Sequence, residues 1–492
     1  MLSRIIKDTG IAGLGEVVFI VMTYTSNVII SRFLGAEGVG IYAQAMTIVS
    51  FVSLLAWLGL DVGVLRFLSL YLAQKDWGYV KGMMYFASSL VLVTSVLLGG
   101  GVFITADLFA DSVFREPQLT FVLRIFALTV PFTALTTVWL NGIQAFQRTN
   151  YRIYIGKVFS PLVGAGSVAL FLHLGWHWNG VLGSAVLTAL LGGILAYYTY
   201  HRLQKSIPGI KQERPKLAVK EWLIFCYPLF FSRLLVLAYS RITVLMLGYF
   251  QNSAEVGIYE IAFKVTLLVH MPLELSSFIF APVIGQVYAQ GDRLGLERLF
   301  KTVTKWMFAV SLLTFLMTAL LAQPILAIFG TEFVAGTPTL YILALGHLIN
   351  VSTGAVGWML IMSGHSKIHL LNNLSLVLLT FVLGLFLIPL YGMAGAAAVA
   401  SLAEIVVNIA RLAEIFYLLR IHPYSRDFIK PVAAGLMTLG LVYLLQRQVI
   451  AHWSYPTFWT SFILAGLICT FYIALSVLFH WSQIKASRTL LL

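Results

Sequence analysis

An otherwise apolar segment, residues 256–281, carries three charged side chains at helical spacing. In an α-helix Glu260, Lys264 and Glu274 would lie within about 80° of one another, and Glu260 and Lys264 form an i,i+4 pair of opposite charge. A charged side chain at the centre of a membrane helix costs about 2.5–3.5 kcal/mol on insertion scales, so it faces a protein interior or a water-filled cavity. The stripe predicts either a substrate contact or a neutralised pair that only makes insertion tolerable.

Two arginines lie in a second apolar segment, residues 222–249. Neither Arg233 nor Arg241 has a carboxylate one turn away in its own helix, and the guanidinium fork matches a phosphate bidentately. These arginines therefore predict either a phosphate site or cross-helix ion pairs. Pro228, five residues before Arg233, predicts a break in this helix. The carboxylates considered as pairing partners are Glu16, Asp61 and Glu404.

Polar residues in other apolar segments complete the candidate cavity. The substrate-binding candidates are Arg233, Arg241, Lys264, Glu260, Glu274, Glu16, Asn27, Asp61, Glu404 and Arg411. Their mixed charge suits an amphiphile with an anionic centre and sugar hydroxyls. One of the carboxylates could also bind a coupling ion, and the sequence leaves open whether that ion is a proton or sodium.

Signals for catalysis are poor. The sequence shows no phosphate-cradling glycine loop, no ATPase motif and no nucleophile elbow. His173 and His177 form an i,i+4 pair beside two tryptophans, but an interfacial aromatic belt explains them better than a zinc site without a third ligand. Cys226 and Cys469 both lie in apolar runs and predict neither a disulfide framework nor a metal site. The chain is therefore expected not to be an enzyme and to need no cofactor.

The elements that would position these residues are membrane helices. Of the 492 residues 60% are hydrophobic and 10% are charged, whereas a soluble domain carries roughly 25% charged residues. A spanning helix needs about 20 mostly apolar residues, and the first apolar stretch is too long for a signal peptide. Spans are predicted at residues 9–33, 38–65, 83–108, 119–143, 155–173, 179–200, 222–249, 256–281, 303–329, 338–363, 369–390, 393–418, 431–449 and 457–480.

The net charge of +13 is distributed as a membrane topology signal. Most of the 32 Lys and Arg residues fall in the two tails and in every second connection, and the opposite side holds Arg32, Arg115, Arg124 and Arg447. The positive-inside rule places the basic side and both termini in the cytoplasm. Attraction to anionic lipid accounts for the rest of the basic balance, so no nucleic-acid partner is expected.

An internal repeat divides the chain into two halves. Glu37–Tyr42 reads EGVGIY and Ala254–Tyr259 reads AEVGIY, at an offset of 217 residues. Ile125–Leu128 matches Ile342–Leu345 at the same offset. Six spans per half make the halves parallel, with a repeat axis along the membrane normal and a substrate site near the bilayer midplane. The predicted domains are an N-terminal lobe at 1–200, a basic linker at 201–220, a C-terminal lobe at 221–420, and two final helices with a tail at 421–492.

Four stretches of this chain resemble the polysaccharide-biosynthesis flippases, the O-antigen and lipid-linked oligosaccharide branch of the multidrug/oligosaccharidyl-lipid/polysaccharide exporter superfamily. They are Leu34–Tyr42, Leu247–Tyr259, Ile328–Leu345 and Tyr391–Ala400. The resemblance implies an all-α polytopic membrane protein with about 14 helices, two parallel six-helix lobes around a central cavity, and two C-terminal helices. It implies a cationic cavity, to which Arg233, Arg241 and Lys264 correspond. Thr243 stands where the family often has an acidic residue, so no acid is carried over there.

The function implied is transfer of a polyprenyl-pyrophosphate-linked oligosaccharide from the cytoplasmic to the outer leaflet by alternating access, for lipopolysaccharide or capsule synthesis. The expected location is the inner membrane, with membrane lipids and other polysaccharide-assembly proteins as partners. An ion-coupled multidrug exporter of the same superfamily is the first alternative. A membrane-embedded polysaccharide polymerase is the second, and it would need a sizeable outer loop or an acidic catalytic motif.

Overall fold

The computed structural model describes residues 2–207, 213–448 and 463–477, and all regular structure within these ranges is helical. The chain divides into two compact units, Met1–Gly257 and Ile258–Leu492. The helices of the first unit are α1 Leu2–Trp57, α2 Leu60–Gln74, α3 Trp77–Asp107, α4 Gln118–Ala145, α5 Thr149–Ile153, α6 Ser160–His173, α7 His177–Lys205 and α8 Val219–Phe250. Two π-helical segments, Leu108–Phe114 and Tyr154–Phe159, follow α3 and α5.

Helix α9, Ser253–Ala289, begins before the unit boundary and continues into the second unit. The further helices are α10 Arg293–Leu320, α11 Ala322–Phe329, α12 Thr337–Ser352, α13 Val356–Met362, α14 Ser366–Leu419, α15 Ile429–Gln448 and α16 Ile463–Val477. Short 3₁₀ segments lie at Thr331–Gly336 and Arg426–Phe428. Pro131, Pro228 and Pro272 lie inside α4, α8 and α9, and the helices continue through them, so the break predicted at Pro228 is wrong.

Two long helices each bend at a single glycine. Gly35 in α1 has φ 70° and ψ −177°, and Gly392 in α14 has φ 55° and ψ −133°. Positive φ is readily available to glycine, so one residue takes the place of a loop. The sequence predicts connections between spans at both places, and the structure makes each connection with one non-helical residue.

The described residues contain eleven helical stretches long and apolar enough to cross a membrane. One of them, Gly13–Gln74, has 62 residues, and another, Ser366–Leu419, has 54. At 1.5 Å per residue each is longer than two bilayer cores of about 30 Å. The chain is therefore a polytopic all-helical protein. The exact count of fourteen remains a prediction, and its last span, 457–480, lies partly outside the described residues.

Helix α2 is set against α8 by small residues and one buried tryptophan. Leu58 and Gly59 both have positive φ, which ends α1 and restarts the chain as α2. A Cβ on Gly59 would meet the carbonyl of Cys226 in α8, and a Cβ on Gly63 would meet its Sγ. Trp222 is fully buried at the start of α8 and donates from Nε1 to the Tyr71 hydroxyl at 3.0 Å. Helix α2 therefore packs against the first quarter of α8, with its first turn beside Cys226 and its last turn beside Trp222.

The two copies of the repeated VGIY motif also meet through their glycines. A Cβ on Gly40 would overlap the carbonyl oxygen of Ser253, and a Cβ on Gly257 would overlap the carbonyl oxygen of Ala36. Ser253 and Gly257 follow Ala36 and Gly40 by the same 217 residues. The contact is therefore reciprocal: the glycine of each motif packs against the backbone carbonyl that lies four residues before the glycine of the other motif.

Candidate functional site

The first charged pair in the membrane helices joins α2 to α8. Asp61, in the first turn of α2, forms an ion pair through Oδ2 with Nη1 of Arg233 in α8. The side chain of Asp61 is 2% exposed, whereas that of Arg233 is 47% exposed. The second carboxylate oxygen, Oδ1, is buried and has no hydrogen-bond partner among the described residues. The cross-helix pair predicted as one alternative for Arg233 is thus present, and the Arg233 side chain remains about half exposed.

A second guanidinium lies close to this pair. Arg152, at the end of α5, interacts electrostatically with both Arg233 and Asp61. The Asp61–Arg233 ion pair therefore has a second guanidinium within electrostatic range, which gives the group of three residues an excess positive charge. We call Asp61, Arg152 and Arg233 the arginine cluster. A guanidinium is always charged and carries five N–H donors, so a cluster of this kind favours an anion with several acceptor oxygens.

The polar residues of α1 are partnered locally. Glu16 Oε1 lies 3.2 Å from Nζ of Lys157 in the π-helical segment after α5. The Lys157 ammonium also lies over the ring of Phe19, 4.0 Å from its centroid. Asn27 donates to the backbone carbonyl of Thr23 at 2.9 Å, one turn earlier in its own helix. Of these candidates Glu16 is engaged in a half-exposed ion pair.

In the second unit the stripe on α9 is present as an ion pair followed by a separate carboxylate. Nζ of Lys264 lies 3.3 Å from Oε1 of Glu260, whose side chain is 4% exposed. Glu274 is exposed, further along the same helix. The Glu260–Lys264 ion pair agrees with the predicted neutralised pair, and Glu274 is not part of that pair.

Glu404 and Arg411 on α14 have different partners. Glu404 accepts a short hydrogen bond from Nδ2 of Asn350 and lies 3.4 Å, through Oε2, from Nδ1 of His347, both on α12. Arg411 donates to Asn408 at 3.1 Å and to Asn373 at 2.7 Å. These two residues share a helix but belong to separate polar groups.

The ten candidates therefore fall into several groups, and Arg152, Lys157, His270 and His347 are additional residues that the sequence analysis did not select. Arg152 precedes the fifth predicted span, 155–173, and Lys157 lies at the beginning of that span, where basic residues are expected as a topology signal. Two basic residues spaced five positions apart at the beginning of an apolar run are the sequence signal that could have identified them as candidates. Arg241 is half-buried on α8, two turns beyond Arg233. None of these assignments to a substrate site is settled by geometry, and they remain predictions.

A groove of about 1000 Å³ opens beside the beginning of α8. Its walls include Phe67, Phe225 and Pro228, and its charged residues are Arg66, Lys220 and Glu221. The Arg66 guanidinium lies 4.0 Å above the Phe225 ring. An apolar wall can contact the hydrocarbon part of an amphiphile, and a charged edge can contact its head group.

Comparison with known proteins decides the family. Residues 5–287 match the family model described as "Polysaccharide biosynthesis protein", and residues 228–386 match the MatE family model. The first match covers more than half of the chain. The chain belongs to the polysaccharide biosynthesis protein family. This is the lipid-linked flippase branch of the superfamily indicated by the sequence motifs.

This family member resembles a curated sporulation protein and solved structures of a flippase and of transporters. Stage V sporulation protein B of Bacillus subtilis (strain 168) is 22% identical over 191 residues, which cover 37% of this chain and 36% of that protein. The chain thus matches only about a third of the length of this curated relative. Lipid II flippase MurJ in an inward closed conformation has a TM-score of 0.75 at 14% identity, covering 97% of this chain and 100% of that one.

Multidrug transporters share the same fold at lower similarity. An inward-facing multidrug resistance MATE family transporter of the MOP superfamily has a TM-score of 0.65 at 14% identity, covering 82% of this chain and 94% of that one. A mutant of the Vibrio cholerae MATE transporter VcmN has a TM-score of 0.59 at 14% identity, covering 85% of this chain and 97% of that one. This family member therefore has the fold of multi-pass MOP transporters.

Proposed function

We propose that this protein transfers a lipid-linked oligosaccharide, carried on a polyprenyl pyrophosphate, from the cytoplasmic to the outer leaflet by alternating access. The observation that carries the proposal is the arginine cluster, in which the ion pair of the buried Asp61 with Arg233 has a second guanidinium, that of Arg152, within electrostatic range. Membership of the polysaccharide biosynthesis protein family and the likeness to a lipid II flippase support it. The product would serve lipopolysaccharide or capsule synthesis.

In this proposal Asp61 is a positioning residue and Arg233 contacts the substrate. The buried carboxylate holds one edge of the guanidinium through Nη1, and the accessible half keeps further N–H donors for a phosphate oxygen. Arg152 adds a second positive charge, so the site prefers a group with more than one negative charge. A polar side chain of the same unit, such as Asn27, would then contact sugar hydroxyls.

The wider layout is proposed on the same basis. It comprises about fourteen membrane helices, with lobes at 1–200 and 221–420, a linker at 201–220, and two final helices with a tail at 421–492. Both termini lie in the cytoplasm, and the protein lies in the inner membrane. A proton or a sodium ion couples the cycle, and other polysaccharide-assembly proteins act beside it. The charge pattern of the connections and the family match support these proposals.

The test compares cells lacking the protein with cells carrying Arg233→Ala, Arg233→Lys or the control Arg124→Ala. Arg124 is also a membrane-helix arginine in an ion pair, 2.7 Å from Asp107, but it lies outside the candidate site. Loss of a charged hydrogen bond of about 1.5–3 kcal/mol corresponds to a roughly 10–150-fold slower transfer. We expect surface polysaccharide to fall and lipid-linked repeat units to accumulate in the deletion and in Arg233→Ala, with little change in Arg124→Ala.

Arg233→Lys separates substrate contact from folding because it keeps the charge for Asp61 but loses the bidentate fork. We expect an intermediate phenotype with normal protein abundance. Normal polysaccharide in the deletion would overturn the function. Trapped precursor in the deletion with normal transfer in Arg233→Ala would keep the function and overturn the site.

A multidrug exporter is the second candidate, favoured by the MatE match at residues 228–386 and by the MATE transporter structures. It predicts increased susceptibility to cationic drugs in the deletion with unchanged surface polysaccharide. The excess positive charge of the arginine cluster argues against a cationic cargo. A membrane-embedded polymerase has less support, since the similar solved structures are a flippase and transporters.

A further inference from the structure

Two histidines and a carboxylate lie together in the second unit, on three different helices. His347 on α12 lies 3.4 Å, through Nδ1, from Oε2 of Glu404 on α14. The ring of His270 on α9 lies 5.4 Å, centroid to centroid, from that of His347. His347 is 8% exposed, and its Nε2 is buried with no hydrogen-bond partner in the described part of the chain. We call these three residues the histidine cluster.

The cluster lies inside helices that are long and apolar enough to cross a membrane. His270 is near the middle of α9, and Glu404 is near the middle of the arm of α14 that follows the bend at Gly392. Ionisable side chains in such positions are costly to bury, and as a rule they mark ion or substrate pathways. The cluster contains none of the residues of the arginine cluster and is unused by the mechanism proposed above.

The charges around the cluster leave room for one added proton. Asn350 donates to the other oxygen of Glu404, which keeps that carboxylate fixed and hydrogen-bonded. Glu274, one turn beyond His270, is exposed and interacts electrostatically with it. The other charged or histidine residues on the neighbouring helices are Glu255 and the Glu260–Lys264 pair on α9, and Lys367, His369, Arg411 and Glu414 on α14. Glu332 precedes α12, and the charged residues of α10 all precede Trp306.

We propose that the histidine cluster is a proton-binding site. Histidine changes charge between about pH 5 and 8, and a neighbouring carboxylate stabilises the imidazolium form. The two imidazoles are close enough that a second proton would create like charges beside each other, so the cluster takes up one proton. Glu274 and His270 form the route by which the proton reaches His347 and Glu404.

A proton fits this site better than a metal ion does. Sodium and other hard cations prefer oxygen ligands, and here a single carboxylate stands beside two imidazoles. The described residues contain no group of three His, Cys, Asp or Glu residues placed to hold a metal ion. If the transport function proposed above holds, the bound proton is the coupling ion, and this part of the inference rests on that function.

The test measures proton uptake by the purified full-length protein in detergent, without substrate. A pH jump from 8 to 5.5 with an indicator dye counts protons, and infrared difference spectra report the carboxylate and imidazole bands. The variants are Glu404→Gln and His347→Gln, and the matched control is His173→Gln, an exposed histidine at the end of α6. We expect both cluster variants to bind about one proton fewer than the wild type and to lose the buried carboxylate band. The control keeps that band.

An uptake and a difference spectrum in Glu404→Gln that equal those of the wild type would overturn the proposal. Glu404→Asp guards against misfolding, since it retains a carboxylate, and we expect it to keep the proton and the band. The result is independent of the flippase test. If the wild-type protein takes up the proton and the variants do not, but the deletion strain keeps normal polysaccharide, only the proposed function is overturned. If the variants take up as many protons as the wild type, but the deletion strain accumulates lipid-linked precursor, only this inference is overturned.

Discussion

At the residue scale, the ion pair between Asp61 and Arg233 is unequal. The side chain of Asp61 is 2% exposed, and that of Arg233 is 47% exposed. Removing one partner of a buried pair costs about 3–5 kcal/mol when it leaves an uncompensated buried charge. Arg233 can hydrate when its partner is removed, but Asp61 cannot. The two truncations should therefore differ in their effect on stability.

This inequality gives a double-mutant prediction. We expect Arg233→Ala to lower the free energy of unfolding by up to about 3 kcal/mol, below the value for an uncompensated charge because Arg152 still interacts with Asp61. We expect Asp61→Asn to lower it by about 1 kcal/mol. The double variant should be more stable than Arg233→Ala, because it removes the stranded charge. Thermal unfolding of the purified variants in one detergent measures all four states. Equal losses in the two single variants would contradict the burial seen here.

At the residue scale, some of the ion pairs could be predicted from the sequence and others could not. Side-chain type and helical spacing identified Arg233 as a cation in need of a partner and named Asp61 among three possible ones. They identified the Glu260–Lys264 pair because its members are one turn apart. They could not supply Arg152 or His347, since the partners of these residues come from helices distant in the sequence. A single sequence reports spacing within a helix but carries no direct record of contacts between helices.

At the element scale, the site depends on how closely α2 approaches α8. Gly63 lies against the Sγ of Cys226, a buried side chain on α8. Neither helix could come this near with a larger residue at position 63. Since Asp61 lies in the same turn of α2, this spacing also sets the position of the carboxylate relative to Arg233.

A size exchange tests this contact. We expect Gly63→Ala to cost about 1–3 kcal/mol by overpacking, and Cys226→Ala to remove the atom that the new methyl group meets. Gly63→Ala with Cys226→Ala should regain most of the thermal stability and of the polysaccharide transfer. Cys469→Ala, which lies outside this contact, is the matched control. Failure of Cys226→Ala to improve on Gly63→Ala would refute the proposed packing.

The helices themselves were largely predictable, and their irregularities were not. Long apolar runs give a strong hydropathy signal, so the predicted spans fall on helical segments wherever the chain is described, although the spans 38–65, 303–329 and 338–363 each cover a break between two helices. The break at Leu58 and Gly59 lies inside one apolar run, where hydropathy does not change, and it was missed. The bends at Gly35 and Gly392 were predicted as loops, because a hydropathy pattern does not distinguish a short loop from one residue with positive φ. At Pro228 the sequence predicted a break that is absent, since α8 continues through this residue.

At the scale of the whole molecule, the charge pattern makes a topology prediction. With Cys226 and Cys469 replaced by alanine, single cysteines are introduced by Arg148→Cys and Leu174→Cys, at consecutive connections on either side of α5 and α6. A membrane-impermeant thiol reagent applied to intact cells should label the cysteine at position 174 and leave the one at position 148 unlabelled until the membrane is opened. Labelling in the reverse order would overturn the cytoplasmic placement of the termini.

The contact between the repeated motifs makes a second prediction at this scale. Gly40→Ala and Gly257→Ala each place a methyl group against a backbone carbonyl of the other copy, which cannot rotate away. We expect each to destabilise the protein by about 1–3 kcal/mol, and by similar amounts, because the two surroundings match. Gly100→Ala, whose Cβ would meet nothing within 4 Å, is the control. Thermal unfolding of the three variants measures the effect.

That reciprocal contact has the form of an isologous interface, in which one patch meets a copy of itself. A half-length ancestor with this motif would have brought two identical chains together around a two-fold axis, and one glycine would have met both steric demands. After gene duplication and fusion, the two glycines became separate residues under the same demand. Exchanging the sequence VGIY between its two positions would be silent, since the copies are identical. Exchanging the less similar residues before the motifs would show how far each copy has specialised.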